Sequence, residues 1–141
     1  MLKKIIWMSV GILMACNVQA FDKKQINPEQ DIWGTWTIHN EKLNCSEVYQ
    51  FSKPSQLTYT SNEKRITGDF AIWRSMLNQD LDLLSVQVKA DNKAASCGGP
   101  AIDMTNGKLQ LNLKWISTTS AELCSDHEAK LCSGLYLIKQ K

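Results

Sequence analysis

Histidine, proline and glycine are scarce in this 141-residue chain, at two, three and seven residues. His39 and His127 are therefore its whole stock of imidazole for acid–base or metal chemistry. Beyond residue 20 no run of Lys or Arg exceeds two. The concentrated basic patch that phosphate contacts require is missing, which argues against nucleic-acid binding. No Gly-x-Ser-x-Gly elbow and no Gly-rich phosphate loop occurs, so the sequence marks of a hydrolase nucleophile and of nucleotide binding are absent. No apolar run reaches the ~20 residues of a membrane-spanning helix. Helical apolar stripes beyond one or two turns are also lacking.

What is present begins with an export signal over residues 1–20. Lys3 and Lys4 start it, residues 5–15 are apolar except for Ser9 and Gly11, and Val18-Gln19-Ala20 ends it with small residues. Two cleavage readings stand open. One releases a chain starting at Phe21. In the other, Leu13-Met14-Ala15-Cys16 resembles the lipobox of bacterial lipoproteins, which makes residues 1–15 the signal and Cys16 the lipidation candidate. Both point to the periplasm, with the protein either soluble or anchored to the outer membrane. Loss of Lys3 and Lys4 takes the formal charge from +2 to zero.

Cys45, Cys97, Cys124 and Cys132 then remain, most simply as two disulfides in an oxidising compartment. Three pairings are possible. Cys124 and Cys132 flank a polar turn at 125–130 and could staple a hairpin, leaving Cys45 for Cys97. Loop-closure entropy then supplies about 2.5 and about 4 kcal/mol. That matters for a single core of this size, whose stability margin is narrow.

Residues 21–31 read as a polar N-terminal tail outside the core, and 32–141 as one β domain. Apolar residues recur at every second position, the period of a strand with one buried face. Ile32, Trp36 and Ile38 share a phase, as do Tyr49 with Phe51, Leu57 with Tyr59, and Ile66, Phe70 and Ile72. Leu109, Leu111, Leu113 and Trp115 form the cleanest run. Between 81 and 88 the phase changes, so either a bulge after Leu83 or a strand buried on both faces is expected. The last strand, around Leu135 and Ile138, also reads as apolar on both sides. Residues 73–80 suit a short helix or an irregular crossing. Asn106-Gly107 suits a tight hairpin turn. About eight strands predict an all-β fold, a small antiparallel barrel with a compact sandwich as the alternative. Closure removes edges that would invite pairing with other chains.

Gly34-Thr35-Trp36 resembles the Gly-x-Trp start of lipocalin-like barrels, in which the Trp packs across the closed end. Trp36, Cys45-Ser46-Glu47, Tyr49 with Phe51, Cys97-Gly98-Gly99, Cys124 and Cys132-Ser133-Gly134 resemble the pattern of small exported bacterial proteins of uncharacterised function. These are thought of as lipocalin-like. The resemblance implies a fold and no ligand.

Candidate chemistry is thin. Cys124, His127 and Cys132 would begin a zinc site under reducing conditions, but a disulfide removes the thiolates. Ser125, Asp126 and His127 are adjacent, which fixes no triad geometry. Asp80 and Asp82 share a face and read as a solvated strand edge. No catalytic, metal or cofactor residue is assigned. Trp33 and Trp73 fall off-phase and, with His127, are the candidates for partner contact. The leading expectation is a non-catalytic envelope interaction module, of inhibitor or immunity type, acting on an exported partner. A carrier of a small apolar ligand within the barrel is the alternative, and a hydrolytic enzyme comes third. Core filling by Trp36, Tyr49, Phe51, Phe70 and Trp115 discriminates between module and carrier.

Overall fold

The computed structural model describes residues 21–77 and 81–141. The export signal, Cys16 with both cleavage readings, and Asp80 lie outside the described residues. Eight strands follow in order: β1 (Gly34–Asn40), β2 (Cys45–Ser52), β3 (Gln56–Ser61), β4 (Lys64–Trp73), β5 (Asp82–Asp91), β6 (Lys108–Ser117), β7 (Ser120–Cys124) and β8 (Cys132–Lys139). Each pairs antiparallel with the next, and β8 returns to β1, so the sheet closes into a barrel. Among the described residues no helix is long and apolar enough to cross a membrane.

The period-two phases place their apolar residues inside. Trp36, Ile38, Tyr49, Phe51, Leu57, Tyr59, Ile66, Leu113 and Trp115 are all buried. Leu109 and Leu111 keep the phase of β6 but are only half-buried. In β8, Leu137 is buried while Tyr136 and Ile138 are exposed, so that strand has one inner face rather than two.

Two further expectations are corrected. The 81–88 segment has no bulge after Leu83. Asp82 shares the inward phase with Leu84, Val86 and Val88, and all four are buried. The sequence phase seemed to change only because the first inward position carries a charge. The irregularity of this strand pair lies opposite Thr67 and Gly68. There a Cβ on Gly68 would meet the Gln87 carbonyl oxygen at 2.2 Å, so only glycine lets the two backbones approach. Of the two readings open for the crossing after Trp73, residues 74–77 take the irregular one.

The second correction concerns the N-terminal segment, expected outside the core. It forms a 3₁₀ turn (Lys23–Gln25) and one helical turn, α1 (Pro28–Asp31), the latter started by the Asn27 side chain accepting from Glu29 N–H. Ile26, 1% exposed, and Ile32 enter the barrel core. Polar composition concealed Ile26, whereas Ile32 keeps the inward phase it shares with Trp36 and Ile38. The carbonyls that α1 leaves unsatisfied find side-chain donors. Trp33 Nε1 donates to Glu29 O at 2.7 Å, Lys139 Nζ to Asp31 O at 2.6 Å and Trp36 Nε1 to Ile32 O at 2.7 Å.

Both disulfides form in the pairing Cys45–Cys97 and Cys124–Cys132. The second joins facing residues of β7 and β8. The first ties the 92–107 loop to the start of β2. Asn106, with a positive φ of 67°, does turn the chain into β6, yet it ends this long loop rather than making a two-residue hairpin.

Candidate functional site

Each end of the barrel is locked by a buried carboxylate. At the end carrying α1, Asp82 is fully buried, which overturns its reading as a solvated edge. Its Oδ2 accepts from Trp115 Nε1 at 2.9 Å and from Arg74 Nε at 3.1 Å. Its Oδ1 lies 3.5 Å from Lys23 Nζ. Arg74 continues outward, donating to Ile26 O at 2.8 Å and Lys23 O at 2.6 Å. One carboxylate thus joins β4, β5, β6 and the N-terminal segment. A buried charge persists when it is paired and hydrogen-bonded: Oδ2 is both, while Oδ1 is held by the ion pair with Lys23 and has no hydrogen bond of its own among the described residues.

At the other end, Lys64 Nζ reaches both oxygens of Asp91 at 3.0 and 2.9 Å, and Ile102 O at 2.8 Å. Burial by itself would raise the Asp91 carboxyl. The hydrogen bonds from Lys64 and from the N–H groups of Met104 and Lys93 outweigh it and hold the group below its ordinary value. This cluster folds the 92–107 loop onto the barrel.

Between the locks the interior is filled by rings meeting edge to face. Trp36 and Trp115 lie 6.1 Å apart, Tyr49 and Tyr59 5.0 Å, and Phe51 and Phe70 4.9 Å. Tyr59 donates to Glu47 Oε1 at 2.5 Å. Burial, then the Glu47 carboxylate, raises both tyrosines. The aromatics named as the test between module and carrier therefore interdigitate. A ligand seated among them would have to displace these contacts.

The three partner-contact candidates separate. Trp33 packs on the core: its ring stands edge-on to Phe70 at 5.8 Å, with Lys53 Nζ 5.6 Å above it. Trp73 remains open at 65% exposure. Strand alternation explains it, because Arg74 is held inward at Asp82 and the preceding residue must face out. Met76, 98% exposed, and Leu77 follow on the same connection. His127 reaches this region only by its backbone, its carbonyl accepting from Leu81 N–H at 2.7 Å. Its imidazole is exposed, 3.9 Å from Glu128. His39 Nδ1 lies 2.9 Å from Ser46 Oγ on the barrel exterior. Glu122, Cys124 and Cys132 lie close enough to share a metal. Their sulfurs form a disulfide and Glu122 accepts from Gly134 N–H, so this donor set does not suit an ion.

Sequence reasoning missed Asp82, Arg74, Lys64, Asp91, Met76 and Leu77. For Asp82 a signal existed: extending the period of Leu84, Val86 and Val88 one step back lands on it. No family model, curated protein or solved structure matches this chain.

Proposed function

We propose that this protein is a non-catalytic interaction module of the bacterial cell envelope, of inhibitor or immunity type, that recognises an exported partner through Trp73 and its neighbours. The observation that carries this reading is the exposure of Trp73 on a strand end fixed by Arg74 and Asp82. An indole offers a large apolar area at small entropic cost, and a rigid support lowers that cost further. Met76 and Leu77, also exposed, follow Trp73 on the same connection, and the His127 carbonyl of the 125–131 turn accepts from Leu81 N–H. Export, two disulfides and a lipocalin-like start belong to the same reading.

The test uses the purified protein with both disulfides intact, immobilised and exposed to envelope extract. A stoichiometric protein should be retained by the parent and at least tenfold less by Trp73→Ala, with unchanged thermal unfolding. Equal retention by Trp73→Ala and Met76→Ser would refute the surface. Trp33 is unsuitable for this test, since its packing on Phe70 couples it to stability.

A further inference from the structure

The connection between β5 and β6 runs from residue 92 to 107 and contains neither strand nor helix. Loops of this length inside a compact domain commonly carry function. The outermost stretch of this one is held at both flanks. On one side Cys97 is bonded to Cys45, and its N–H donates at 2.6 Å to the Oγ of Ser61, a residue 1% exposed. On the other, Met104 N–H donates to Asp91 Oδ2 at 2.8 Å, and Ile102 O accepts from Lys64 Nζ at 2.8 Å. Ala94 O accepts from the same ammonium at 3.3 Å. Between these anchors Gly98, Pro100, Ala101, Ile102 and Asp103 are exposed.

Burying the Lys64 and Asp91 side chains costs desolvation. Beyond each other, their hydrogen bonds go to the main chain of an exposed loop rather than to the barrel core. What they secure is the shape of that loop. Gly98, at a φ of +68°, turns the chain where a Cβ would meet Leu43 Cδ1 at 2.3 Å. Pro100 fixes its own φ, and no residue from Pro100 to Asp103 has a positive one. Among the described residues nothing pairs with the N–H and C=O of Ala101 or with the N–H of Ile102. The Ile102 carbonyl is held by the barrel while its residue stays 53% exposed.

We propose that residues 98–103 form an inhibitory loop for an exported serine endopeptidase with a small primary specificity pocket. Such an enzyme receives substrate as an exposed chain with open main-chain groups, and the loop presents those groups around Ala101. Ala101 enters the pocket, with Pro100 before it and Ile102 after it. A flexible substrate loses ordering entropy on binding, and this loop has already lost it to the barrel. Both flanks are tied, by Cys97 on one side and by Ile102 O and Met104 N–H on the other. The Ala101–Ile102 peptide bond is therefore held in place as an uncleaved competitor. The proposal shares the inhibitor reading above but not its surface, since Trp73 lies at the opposite end of the barrel.

Pancreatic elastase and trypsin, assayed with chromogenic peptide anilides, provide the test. The primary pocket of elastase is small and that of trypsin carries an aspartate. The protein with both disulfides intact should inhibit elastase competitively and leave trypsin untouched. Ala101→Arg should weaken inhibition of elastase at least tenfold and create inhibition of trypsin. Trp73→Ala should change neither. Lys64→Met, with the barrel checked by far-ultraviolet circular dichroism, should weaken inhibition at least tenfold and let elastase cut between Ala101 and Ile102, read by mass spectrometry. If Lys64→Met unfolds, the Ala101→Arg result decides. Absence of elastase inhibition by the parent, or an Ala101→Arg variant that does not inhibit trypsin, would overturn the loop. Inhibition lost on Trp73→Ala and kept on Ala101→Arg would also overturn it, while supporting the Trp73 surface. A switch to trypsin unaffected by Trp73→Ala supports the loop whatever becomes of Trp73.

Discussion

Replacing Asp82 with alanine tests the lock at the α1 end. The substitution leaves Trp115 Nε1, in a ring 6% exposed, without its acceptor. A buried donor so orphaned costs about 1–3 kcal/mol. It also strips the counter-charge from Lys23 and Arg74, whose side chains are 11% and 36% exposed. Breaking one partner from a buried pair costs about 3–5 kcal/mol. Arg74 recovers part of its loss from water, and the two penalties overlap, which puts the total near 3 kcal/mol. With a urea dependence of about 1.5 kcal/mol per molar, the unfolding midpoint should fall by about 2 M. Tryptophan fluorescence and far-ultraviolet circular dichroism should report the same midpoint. Asp82→Asn, which keeps one acceptor but no charge, should fall between parent and Asp82→Ala. In a double-mutant cycle with Arg74→Ala the losses should be sub-additive by about 1–3 kcal/mol. A midpoint shift under 0.5 M, or strict additivity, would refute the account of Asp82 as the hub of this end.

The remaining expectations concern the N-terminal segment, the close strand approach and the second lock. Ile26→Ala should cost about 2–4 kcal/mol, as for a buried apolar residue elsewhere in a core; a loss under 0.5 kcal/mol in urea unfolding would show that residues 21–31 only rest on the barrel. Gly68→Ala should cost about 1–3 kcal/mol through the collision with Gln87 O, read as a lowered melting temperature; an unchanged melting temperature would contradict the close approach. Asp91 is held below its ordinary value in the fold, so its contribution is present above the unfolded value near 4 and lost as pH falls through the lower folded value. The melting temperature should therefore drop below about pH 4, and Asp91→Asn should lower it at pH 7 while flattening that acid limb. An acid limb of unchanged steepness in Asp91→Asn would remove Asp91 from its cause.

How far the sequence carries is clear from particular residues. Period-two alternation names the inner face of most strands, because an antiparallel strand with one dry side writes that pattern directly into its residues. It places Trp36 and Trp115 inside and Trp73 outside, and with the turn signals it yields eight strands. Cysteine parity yields two disulfides, and a hairpin staple at Cys124 and Cys132 follows from its short polar turn. The pairing of Cys45 with Cys97 is then what remains; the choice of the expected barrel over a sandwich and the depth of Asp82 are tertiary outcomes. Asp82 lies in the inner phase, but a carboxylate there is tolerable only because Lys23, Arg74 and Trp115 arrive from distant parts of the chain. The N-terminal segment follows the same logic: Ile26 is an isolated apolar residue in a polar stretch until the barrel end receives it and Trp33, Trp36 and Lys139 supply donors to the carbonyls beside it. Local pattern determined the strands and their faces; what they enclose was decided by long-range charge pairing and by closure of the sheet.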